Sequence, residues 1–156
     1  MVVLSQDSLF QLNPMRGPCP QSRFVRLGKI TAGYGVPTEQ ENFHGGIDIA
    51  AAAGSPIKAP VDGVITKVDG SHSGVDNSFG NQVELKDMEG NVHQFNHLQN
   101  IVPQKGQRLR KGQVVATIGA TGAVYSPSGS DPSNLDYRIM NSYHQYMNPT
   151  EYAKHL

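Results

Sequence analysis

The chain has 156 residues, about the size of one domain, and its 17 glycines, 10 prolines and 17% charged residues exclude a helical bundle and favour a turn-rich, mainly β fold. Thirteen basic side chains balance thirteen acidic ones, so no net field draws the protein to nucleic acid or an anionic bilayer. The longest aliphatic run, Ile49 to Ala53, falls far short of the ~20 apolar residues that span a membrane. The single cysteine, Cys19, permits no intramolecular disulfide, and between Pro18 and Pro20 it has no thiol-activating neighbour.

Residues 1–29 carry Pro14, Pro18 and Pro20 with little periodicity and read as an N-terminal arm that docks or packs, ahead of a domain at 30–152 and a short tail at 153–156. Met1 to Leu4 lacks the basic residue and long apolar core of a secretory leader. From Ile30 onward, short β-like runs alternate with Gly and Pro: Ile57 to Ala59, Val64 to Val68, Val83 to Leu85, Val92 to Phe95, Val114 to Ile118 and Leu135 to Ile139. This regular spacing predicts antiparallel sheet. Lys86 to Asn91, with Gly90 as the turn residue, closes a hairpin. Tyr125 to Ser133 is a surface loop, and a short helix is expected only after Pro149.

Within Phe43-His44-Gly45-Gly46-Ile47-Asp48, a histidine and an aspartate stand four residues apart. On a strand or a helical turn that spacing puts both side chains on one face. The pair is either a surface histidine beside a turn aspartate or two metal ligands, since imidazole and carboxylate both bind zinc and the intervening glycines would let the backbone turn tightly around an ion. Continued extension from Val92 would put His93, Phe95 and His97 on one face, so that His93 either reaches a groove as a proton carrier or ligand, or faces solvent. His72, His144 and His155 read as surface residues. Tyr125, Tyr143 and Tyr146 line a groove or edge the core, and spacing does not decide between these.

Eight pieces follow in order: Thr31-Ala32-Gly33-Tyr34-Gly35, His44-x-Gly46-x-Asp48, Gly54-Ser55-Pro56-Ile57, Ala59-Pro60-x-x-Gly63-x-Ile65, Phe79-Gly80-Asn81-x-Val83, Phe95-x-His97-Leu98, Gly106-x-x-Leu109-x-x-Gly112-Gln113 and Gly119-x-Thr121-Gly122. Together they resemble the lysostaphin-like (LytM-type) zinc endopeptidases over roughly residues 30–152. The resemblance implies a compact antiparallel β-sheet or sandwich with a grooved metal site. It also implies hydrolysis of peptide cross-links in bacterial peptidoglycan. By the same resemblance His44 and Asp48 match the first two zinc ligands. His97 matches the catalytic histidine of a Tyr-x-His-Leu motif, with Phe95 in place of tyrosine.

The family's last motif, His-x-His, supplies a second catalytic histidine and the third ligand. Here that place reads Asn134-Leu135-Asp136-Tyr137-Arg138. Asp136 keeps an oxygen ligand, so His44, Asp48 and Asp136 can still hold zinc or a harder divalent ion. Two carboxylates lower the Lewis acidity of the ion. Asn134 can orient water but cannot carry a proton. Losing one general acid or base costs ~10² to 10⁴ in rate, so the expected peptidase is slow.

Three function classes follow. The first is the metal-dependent peptidase acting on peptidoglycan peptide stems. The second is a catalytically inactive member of the fold, serving as a structural or cell-wall-recognition part of a virion assembly. The third is a lipoyl or biotinyl carrier, suggested by Lys58-Ala59-Pro60-Val61-Asp62-Gly63-Val64-Ile65 and needing Lys86 at a hairpin tip. With no signal peptide read in the chain, the expected placement is in a virion, as part of a phage tail with other tail proteins as partners, after synthesis in the cytoplasm.

Overall fold

A computed structural model describes residues 24–38, 41–74, 78–124 and 131–156. The arm up to residue 23, with Cys19, and the loop residue Tyr125 lie outside these. Among the described residues ten strands form one antiparallel sheet: β1 (Lys29–Ala32), β2 (Ile47–Ala50), β3 (Pro56–Lys58), β4 (Gly63–Asp69), β5 (Asn81–Asp87), β6 (Val92–Ile101), β7 (Arg108–Leu109), β8 (Val114–Ile118), β9 (Asn134–Met140) and β10 (Tyr146–Met147). One short helix, α1 (Thr150–Ala153), follows Pro149 as expected. No described helix is long and apolar enough to cross a membrane.

The strand order is β1-β2-β9-β6-β5-β4-β7, with β10 added to β9 and β8 linking β6 to β3. The six predicted runs are found as β3, β4, β5, β6, β8 and β9. Strands β1, β2, β7 and β10 lie outside those runs. On β9, Leu135, Tyr137 and Ile139 enter the core, as do Ile47 and Ile49 of β2 and Val83 and Leu85 of β5. Tyr137 stacks on Phe95 of β6 with ring centroids 5.3 Å apart. Each such side chain, fully withdrawn from water, contributes roughly 1.5 to 3 kcal/mol. Ala153 and Leu156 are buried in the same core.

The β5–β6 hairpin closes where expected. Asp87 Oδ1 accepts from the amides of Glu89 and Asn91, both at 2.9 Å, and Gly90 takes a left-handed φ of 89°. Lys86 lies exposed within β5, paired opposite Val92, and the turn falls beyond it. The carrier reading, which needs that lysine at the tip, is therefore not supported.

Strand β6 corrects one expectation. It runs on to Ile101, but its pairing with β5 is irregular near Asn81, and His97 has a φ of 67°. The left-handed residue breaks the alternation, so His93 and His97 do not share an environment. His93 is fully buried among aromatic rings, reaching neither groove nor solvent.

Candidate metal centre

The alternation that sends Leu135, Tyr137 and Ile139 into the core leaves Asn134, Asp136 and Arg138 on the opposite face of β9. Strand β2 pairs so that Asp48 stands directly across from Asp136. Two carboxylates facing each other on neighbouring strands repel unless something cationic lies between them. His44 enters from the loop before β2, its backbone tied to the preceding turn by His44 N–H to Val36 O at 3.0 Å and Gly35 N–H to His44 O at 2.8 Å. His44, Asp48 and Asp136 each offer a ligand atom within 4.8 Å of the others. They lie in a groove of about 1120 Å³ that His97, Asn134 and Arg138 also line.

His44 is 2% exposed. Its Nδ1 bonds Glu41 Oε1 at 2.8 Å, while Nε2 comes to 3.2 Å from Asp48 Oδ1 without hydrogen-bond alignment. Among the described residues Nε2 is the one buried side-chain nitrogen or oxygen with no hydrogen-bond partner. Buried polar atoms are rarely left so. An orphaned imidazole nitrogen beside two carboxylates is a donor set that fits a divalent cation, with Glu41 orienting the ring from behind. Burial alone would lower the His44 pKa, but Asp48, then Glu41 and Asp136, outweigh it and raise it to about 9. An ion at Nε2 would have to displace that proton.

Arg138 is the cation already in place. Its Nε donates to Asp136 Oδ1 at 2.8 Å and its Nη2 to Asp136 Oδ2 at 2.9 Å and to Glu41 Oε1 at 2.7 Å. Burial works against its charge, but the bonds to Asp136 and Glu41 outweigh that and push its pKa further up. Burial would raise Glu41, yet hydrogen bonds from His44 and Arg138 hold its carboxyl below the ordinary range. The guanidinium sits 4.7 Å from the Phe79 ring centroid and 5.4 Å from that of Tyr146. Two carboxylates, Asp136 and Glu41, thus share the guanidinium, while Asp48 stands beside His44.

The glycines of the His44 segment serve close approach more than turning. A Cβ on Gly46 would lie 2.5 Å from both Arg138 Cγ and Tyr137 O, and one on Gly45 2.7 Å from the Tyr146 ring. Neither has a positive φ. Beneath the site, Asn96 donates to Asp136 O at 3.2 Å and accepts from Gln82 at 2.7 Å, fixing β9 from below.

His97, 5% exposed, shares the groove. Its Nδ1 lies 2.7 Å from the carbonyl of Thr121. A carbonyl only accepts, so Nδ1 carries the proton and Nε2 keeps a lone pair. Thr121 is held by a clasp of two loops: Gly80 and Gly122 both have positive φ, and a Cβ on either would collide with the other loop's backbone. Asn134 is half-buried in the groove, and its Nδ2 donates to Pro132 O at 2.7 Å.

The five expected site residues therefore line one groove. Of the three tyrosines, Tyr146 borders the site through Arg138, while Tyr143 is 81% exposed. His144 and His155 are exposed, and His72 is half-buried beside Asp69. Sequence reasoning missed Glu41 and the inward role of Arg138. The carboxylate three residues before His44 was a local signal for the first. Phe79 and Tyr146 become neighbours of the site only through the fold.

The profile of Peptidase family M23 matches residues 42–149. Peptidoglycan DD-endopeptidase ShyC of Vibrio cholerae is 34% identical over 90 residues, 58% of this chain and 20% of that protein. The chain spans about a fifth of the length of such curated relatives. The catalytic domain of the antimicrobial peptidase lysostaphin from Staphylococcus simulans is 27% identical with a TM-score of 0.66, covering 81% of this chain and 92% of that one. The catalytic domain of the prophage-encoded M23 protein EnpA from Enterococcus faecalis is 28% identical with a TM-score of 0.63, covering 85% and 93%.

Proposed function

Because the chain belongs to peptidase family M23, we propose that its groove is the active site of a metal-dependent endopeptidase that hydrolyses peptide cross-links in peptidoglycan. The observation that carries this is the orphaned, buried Nε2 of His44 beside the Asp48 and Asp136 carboxylates. His44, Asp48 and Asp136 would hold the ion, zinc or a harder divalent metal. When bound, it supplies the Lewis acidity that polarises a peptide carbonyl and acidifies water. His97, its tautomer set by Thr121, accepts a proton at Nε2 and returns it to the leaving amine. Asn134 positions water or substrate by hydrogen bonding and moves no proton. With one imidazole for proton transfer and two acids around the ion, turnover is slow. The substrate class is supported by the name of the ShyC relative and by the similarity to lysostaphin.

A second reading is a catalytically inactive recognition or structural module. The double hydrogen bond from Arg138 to Asp136 favours it, because both oxygens of the third ligand are already engaged. Metal analysis of purified protein, with digestion of purified peptidoglycan by wild type, Asp136→Ala and His97→Ala, decides between the two. The enzyme reading expects a bound ion that is depleted in Asp136→Ala, and digestion that needs both residues. Metal-free protein that releases no peptide fragments overturns it and leaves the module. We also propose delivery in a phage tail, to which residues 1–29 dock. Particles that incorporate a chain lacking residues 1–29 as well as the full one would refute the docking role.

A further inference from the structure

We propose that Arg138 is the resident counter-cation of this site and competes with a divalent ion for Asp136. The inference rests on the reading that His44, Asp48 and Asp136 form the ion's ligand set, and it adds a residue whose effect opposes binding. Strand pairing forces Asp48 and Asp136 to face each other, and Glu41 converges on the same corner. Asp136, 4% exposed, is a buried carboxylate and needs a cation, whether an ion or a side chain. Arg138, 4% exposed, meets that need from within the chain, two residues along the same strand face from Asp136. Its planar fork takes one hydrogen bond to each Asp136 oxygen and a third to Glu41. The surroundings are moulded to this side chain: Phe79 and Tyr146 flank the guanidinium, and Gly46 leaves room that a Cβ would take from Arg138 Cγ.

Two consequences follow. Asp136 and Glu41 already have a cationic partner without an ion, so removing metal should not unfold the protein. An incoming ion must draw Asp136 lone pairs away from the guanidinium, which can stay on Glu41 between its two rings. Affinity for the ion is therefore lower than the ligand set alone would give.

Zinc titration of chelator-treated protein by calorimetry, with thermal unfolding in chelator and in zinc, tests this in wild type, Arg138→Met and Arg138→Lys. Arg138→Met should bind zinc about 10-fold more tightly or better, the scale of losing charge-assisted hydrogen bonds. It should also melt lower than wild type in chelator and gain more from zinc than wild type does. Arg138→Lys, which keeps the charge without the fork, should fall between. If Arg138→Met does not fold, Arg138→Lys and the wild-type Arg138 Nε–H resonance, expected to shift as zinc binds, carry the test. Equal zinc affinity in wild type and variants, or an unmoved Nε–H resonance at saturating zinc, overturns the competition while the metal-peptidase reading stands. Tight zinc binding by Arg138→Met with none by wild type supports the competition and removes the metal-peptidase reading. No zinc binding by any of them overturns both.

Discussion

His44 and His93 are both buried, each faces an aspartate, and they serve the two faces of one sheet differently. On the core face, His93 has both ring nitrogens paired, Nδ1 with Tyr137 OH at 2.7 Å and Nε2 with Asp87 Oδ2 at 2.9 Å. Burial lowers its pKa despite the Asp87 carboxylate, and the ring behaves as a neutral strut. On the groove face, His44 keeps one nitrogen unsatisfied, and surrounding acids raise it to about 9. Completeness of hydrogen bonding, rather than burial, separates the histidine that holds the fold from the one prepared for a ligand.

The largest break in this comparison should come from His97, which belongs to the groove by its chemistry. His97→Ala should lower peptidoglycan digestion by ~10² to 10⁴ with the fold retained by circular dichroism. His97→Gly should lose as much activity but be more stable than His97→Ala by about 1 kcal/mol in denaturant unfolding, since glycine adopts the left-handed φ without penalty. Next comes Gly46→Ala, whose Cβ meets the Tyr137 carbonyl and Arg138, costing about 2 to 3 kcal/mol by the same measurement. Tyr137→Phe strips His93 of its Nδ1 partner and should cost about 1 to 2 kcal/mol while leaving zinc affinity unchanged.

The sharpest contrast is in pH. The His93 pKa is lower folded than unfolded, so its contribution is present above about 6.5 and lost as pH falls through the folded value. Asp87, held low because hydrogen bonds from His93 and two backbone amides outweigh burial, loses its contribution further into acid. The His44 pKa is higher folded than unfolded, so in metal-free protein its contribution is full below about 6.5 and lost as pH rises through about 9. His44→Gln should flatten the alkaline limb of stability against pH, and His93→Gln the acidic limb. Variants that leave both limbs unchanged would show that other groups set them.

Much of this architecture is legible in the chain because it is local. The alternation of Leu135, Tyr137 and Ile139 with Asp136 and Arg138 defines β9 and its two faces, and Asp87 with Gly90 marks the hairpin. Strand β2 is hidden because Ile47, Asp48 and Ile49 are too short a run between glycines and alanines. The direction of His93 is not legible in the chain, because one left-handed residue, His97, ends the alternation of β6. The grip of Arg138 on Glu41 spans 97 positions, and no spacing rule reaches that far.

The clasp at Gly80 and Gly122 carries a consequence for descent. Each loop is the mould of the other, so a bulkier residue on one side is tolerated only with a matching change opposite, and the two stretches are expected to vary as a pair through evolution. A lineage changing what the groove accepts would then do so elsewhere along it, leaving the seat of His97 untouched.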